Sequence, residues 1–79
     1  MNLEKSLVYF ATSLRTNEVL LMKLRRTNTL ELNEDQDDFL EDIIVDNSQA
    51  LEMANIYTNI LSSTMDTFAS IISNNLNTV

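Results

Sequence analysis

QDDFLEDIIVDNSQALEMANIYTNILSSTMDTFASIISNNLNTV, residues 36–79, contains nothing that stops a helix. Pro costs about 3 kcal/mol in a helix interior and Gly about 1 kcal/mol. The chain of 79 residues has neither. At roughly 1.5 Å per residue the run makes a rod of about 65 Å, against a mean globular helix of about 11–12 residues. A rod with no stop signal at its end reads as part of something longer.

Composition narrows the rest. A chain this short buries only about 60% of its unfolded surface, so its core is thin, and small folds need staples, metals or oligomerisation. With no Cys and no His, disulfides are excluded and a zinc or haem site is disfavoured. No run approaches the roughly 18 apolar residues of a membrane span, and no signal peptide is visible. Charge is divided unevenly. Residues 1–30 hold all five basic residues (Lys5, Arg15, Lys23, Arg25, Arg26) and two acids (Glu4, Glu18), for +3; residues 31–79 hold ten acids and no base, for −10; the total is −7. The acidic half argues against nucleic acid as a partner and permits cations.

Outward from the rod, a first helix is expected over about 3–26, with Asn2 as N-cap. Leu3, Leu7, Phe10, Leu14, Asn17, Leu21 and Leu24 alternate at spacings of four and three, an a/d seam with one polar member. Asn17 either fixes register or sits at an edge. Lys23, Arg25 and Arg26 crowd the last turn, where the helix dipole favours cations. Residues 27–35 read as the turn, with Asn33 and Gln36 spaced as a capping box. The acids that follow suit the positive end of a second helix over 36–79.

That helix carries two adjacent seams. One is Phe39, Ile43, Asp46, Ala50, Met53, Tyr57 and Ile60. The other is Leu40, Ile44, Asn47, Leu51, Ala54, Thr58, Leu61, Met65, Phe68, Ile72, Asn75 and Val79. Two seams imply at least two neighbours. Paired from the turn, the longer helix overhangs the shorter one, leaving Leu61, Met65, Phe68, Ile71, Ile72, Leu76 and Val79 as a bare apolar stripe. Such a stripe usually marks an interaction surface. The fold expected is an all-α antiparallel hairpin with a longer second helix, assembling into a helical bundle. For this segment alone a dimer or four-helix tetramer is expected.

Beside the apolar stripe runs a polar one: Asn55, Asn59, Ser62, Asp66, Ser70, Ser73 and Asn77. It reads either as a solvated face or as the lining of a narrow wet channel. Solvated helix faces usually carry Lys and Glu, better helix formers than Asn and Ser. Amides, hydroxyls and carboxylates are the oxygen ligands cation pores use, and Mg2+ keeps several of its waters.

Gln49-Ala50-Leu51-Glu52-Met53-Ala54-Asn55-Ile56-Tyr57, Ile60 to Ser70 and Ile72-Ser73-Asn74-Asn75-Leu76-Asn77 resemble the CorA family of magnesium transporters, as does Leu7-Val8-Tyr9-Phe10 to Glu18. The resemblance covers essentially the whole chain and is most specific in its Ser-Asn-Asn-Leu-Asn ending. It implies that the second helix is a cytoplasmic stalk leading into a membrane helix, and that five copies surround a pore. It implies pore-facing roles for Asp66 and Asn77, with Ser70 and Ser73 between them on the stripe. It also implies a regulatory divalent-cation site at Asp42, flanked by Asp38 and Asp46; the bland alternative for Asp42 is an exposed acid near a helix start. The expected cargo is Mg2+ and the expected location the cytoplasmic side of the cell membrane, with attachment through downstream helices. The family's Gly-Met-Asn signature, membrane helices and N-terminal α/β region are absent here, so the segment reads as excised and inactive alone.

Two other readings use the same residues. A free-standing helical-hairpin interaction module would show the same seams. An enzyme would use Asp38, Asp42 and Asp46 at i, i+4 and i+8, but a two-helix chain offers no enclosed pocket to shift their pKa values, so no enzyme is expected. An EF-hand is excluded because residues 34–46 lack its central Gly.

Overall fold

The computed structural model describes residues 2–77. It contains two helices, α1 over Leu3–Thr27 and α2 over Glu34–Asn77, packed against each other. The molecule measures 70 × 17 × 17 Å, set by the 44 residues of α2. Val79, placed above in the second seam, and the last two residues of the expected helix lie outside the described residues.

Local chemistry explains each boundary. Asn2 caps α1, its Oδ1 accepting from the Lys5 amide at 3.2 Å. At the other end the Asn28 backbone amide and its side-chain Nδ2 both donate to the Leu24 carbonyl, at 3.1 and 3.0 Å. This closes α1 without glycine: Asn28 has φ −107° and needs no left-handed residue. Asn33 and Gln36 form a reciprocal capping box. The Gln36 amide donates to Asn33 Oδ1 at 2.8 Å and the Asn33 amide to Gln36 Oε1 at 3.1 Å, satisfying two orphan donors at the start of α2. The connection is therefore residues 28–33, shorter at both ends than the expected 27–35. Glu34, Asp35 and Asp37 fall in the first turn of α2, where the helix dipole favours negative charge.

The core is narrow. Ala11, Leu40, Ile44 and Ala54 are buried, with Leu7, Leu14, Leu21, Leu51 and Leu61 half-buried around them. On α2 the packed seam is the one through Leu40, Ile44, Asn47, Leu51, Ala54, Thr58 and Leu61. On α1 the expected seam is only half right. Leu7, Leu14 and Leu21 face α2, but Leu3, Phe10 and Leu24 stay more than half exposed, Phe10 at 54%, and Asn17 is exposed. The intervening positions are taken by Ala11, Glu18 and Arg25 instead. Small Ala11 lets the helices approach closely. Glu18 and Arg25 find partners across the interface. A large Phe at that contact would hold the helices apart.

Candidate functional site

The residues that read as functional lie on the bare part of α2. Residues 63–77 are all exposed, because α1 has no counterpart there. Asp66, Ser70, Ser73 and Asn77 share one face of this overhang through their spacing of four, three and four. Met65, Phe68, Ile72 and Leu76 lie alongside, from 44% to 72% exposed. The backbone here is regular helix, with the Thr67 hydroxyl folded back onto the Ser63 carbonyl at 2.9 Å. A shallow open groove runs along the apolar side, lined by Ser63, Thr64, Thr67, Phe68 and Ile71.

Asp38, Asp42 and Asp46 are all exposed on the paired half of α2. Among the described residues no three acidic side chains converge as a metal site would need. One chain thus supplies a ladder of carboxylates, not a closed coordination shell.

Sequence reading missed a polar edge that ties the hairpin together. Arg25 donates through Nε and Nη2 to Asp37 Oδ1 and Oδ2, at 2.8 and 2.9 Å. Its Nη2 also lies 3.5 Å from Glu41 Oε2. The hydrogen bond from Arg25 holds the Asp37 carboxyl below its ordinary range, and the same bond pushes the guanidinium up. Ser48 Oγ donates to Glu18 Oε1 at 3.2 Å, and Asn47 Nδ2 donates to the Leu14 carbonyl at 2.7 Å. The signal was present in the sequence: bases ending one helix and acids opening the next must meet across a short antiparallel turn.

The seam of α2 that begins at Phe39 is bare. Phe39 is 68% exposed, and Met53, Tyr57 and Ile60 are more than half exposed. Fold and site together define an all-α hairpin of unequal arms, whose longer arm carries adjacent polar and apolar stripes into open space. The chain belongs to the CorA-like Mg2+ transporter family, whose description it matches over residues 1–79. No curated protein and no solved structure matches it. Among the described residues no helix is long and apolar enough to cross a membrane.

Proposed function

We propose that this chain is the cytoplasmic stalk of a CorA-like Mg2+ transporter, with α2 leading toward the pore and α1 bracing its first half. The observation that carries the reading is the overhang: a polar stripe and an apolar stripe side by side on the part of α2 that α1 leaves uncovered, in a chain of this family. In an assembly of copies, five in the expected arrangement, the apolar stripes bury against one another and the polar stripes turn inward.

In that arrangement Asp66 supplies a ring of negative charge that concentrates cations. Asn77 supplies amide oxygens about 16 Å further along the axis, at 1.5 Å per residue. Ser70 and Ser73 line the path between. Such oxygens hydrogen-bond the waters that Mg2+ gives up reluctantly, so the ion passes with much of its hydration shell in place. Asp38, Asp42 and Asp46 face solvent in one copy and become a cation site only when a neighbour adds oxygens. Mg2+ bridging those carboxylates would hold the stalks together when the ion is abundant, and their mutual repulsion would loosen the stalks when it is scarce.

Mg2+ uptake by the intact transporter tests both parts. Asp66→Ala should lower uptake several-fold with assembly unchanged. Joint replacement of Asp38, Asp42 and Asp46 by Asn should leave uptake in place but flatten its dependence on cytosolic Mg2+. Unaltered uptake in the first variant and unaltered Mg2+ dependence in the second would defeat the proposal.

A further inference from the structure

α2 carries two apolar seams about 100° apart, one residue step around the helix, and only one of them is covered. Turning α2 by that step would bring Phe39, Ile43, Ala50, Met53, Tyr57 and Ile60 against α1. Apolar burial alone discriminates poorly between the two faces, since each offers a full heptad pattern. We infer that Asn47 and Asp46 together select the covered face, and that Asn47 is a positioning residue fixing the direction in which the rest of α2 faces.

The geometry behind this is the 2.7 Å bond from Asn47 Nδ2 to the Leu14 carbonyl, between partly buried groups. An amide can donate to a carbonyl; an ionised carboxylate has no hydrogen to give. In the turned arrangement Asp46 would take the place of Asn47 and set its carboxylate against that carbonyl, partly desolvated and without a donor. Partial desolvation of an unpaired charge is unfavourable. In the observed arrangement Asp46 is exposed. A single polar residue in a seam commonly specifies alignment at some cost in stability. The Arg25–Asp37 pair acts in the same sense, because the turned helix would offer Gln36 in place of Asp37.

α2 is one uninterrupted helix from Glu34 to Asn77, so the choice made at Asn47 also sets where Asp66, Ser70, Ser73 and Asn77 face relative to α1. The inference about face selection stands without the transport reading.

The chain lacks cysteine, so single reporters are clean. Ala54→Cys reports the covered seam, where Ala54 is 2% exposed, and Met53→Cys the bare one. Thiol labelling in the otherwise natural chain should be slow at 54 and fast at 53. With Asp46→Leu and Asn47→Leu added, labelling at 54 should rise about tenfold while labelling at 53 falls, since the cost of one unpaired, desolvated polar group corresponds to roughly that ratio. Circular dichroism should show helicity retained. Unchanged rates, or a rise at 54 with no fall at 53, would overturn the inference, because simple loosening exposes both positions.

Discussion

Arg25 and Asp37 face each other across the turn in a two-pronged ion pair, with N–O distances of 2.8 and 2.9 Å. The pair closes the hairpin at the end where chain entropy is easiest to restrain, and Glu41 extends it at 3.5 Å.

The pair gives the hairpin a signed pH response. Asp37 has its carboxyl held down by the hydrogen bond from Arg25, so its contribution is complete above the ordinary Asp value of about 3.9. It is lost as pH falls through the lower folded value. Thermal melts at pH 6 should place Asp37→Asn below the natural chain, and the gap should narrow by pH 3. A difference between variants is needed because protonating the other acids of α2 relieves repulsion at the same time. A gap that persists at pH 3 would remove the ion pair as its cause.

The capping box makes a sharper local prediction. Asn33→Ala should cost about 1 kcal/mol, which in a domain this size lowers Tm by about 4–8 °C. Gln36→Ala should cost less, since it removes the outer half of the box. Equal effects in thermal melts would mean that Asn33 acts through something other than its cap.

The covered and the bare seam of α2 should respond differently to a change in side-chain size. Ala54→Leu places a large side chain at the most buried position of α2 and should destabilise by about 1–3 kcal/mol. Phe39→Ala, on the bare seam, should stay within about 0.5 kcal/mol in dilute solution. Urea titrations at low and high concentration separate the two. Phe39→Ala should begin to matter only where the chain associates.

Association itself should depend on the overhang. Phe68→Ser with Ile72→Ser removes two large side chains from the bare stripe without touching the hairpin core. Sedimentation should show the natural chain forming dimers or tetramers as concentration rises, and the double variant shifted toward monomer. A natural chain that remains monomeric throughout would rule out the stripe as a contact surface.

Much of this was legible from residue spacing. The helices, the turn, both N-caps and the two apolar seams of α2 follow from rules that act within a few residues; which seam α1 covers does not, because both repeat in sevens. The α1 seam was misread because Leu3, Phe10, Asn17 and Leu24 satisfy a heptad as well as Glu4, Ala11, Glu18 and Arg25 do. Apolar character favoured the first set. The packing favoured the second because Ala11 allows close approach and because Glu18 and Arg25 find partners on α2. Those partners are distant in sequence, so no window along one helix could reveal them. The stripe through Asp66 and Asn77 was readable from composition. The use proposed for it depends on neighbouring chains, and one chain's residues do not encode their placement in any local pattern.

Because α2 continues unbroken from its braced half to Asn77, it is also a lever. Leu61 and Ser62 are the last half-buried residues along it, and the arm beyond that fulcrum reaches about 22 Å at 1.5 Å per residue. A tilt of about 8° at the hairpin would sweep the far end sideways by about 3 Å, roughly the width of a water molecule. Small adjustments among Arg25, Asp37 and Asn47 would thereby be amplified at the far end of α2.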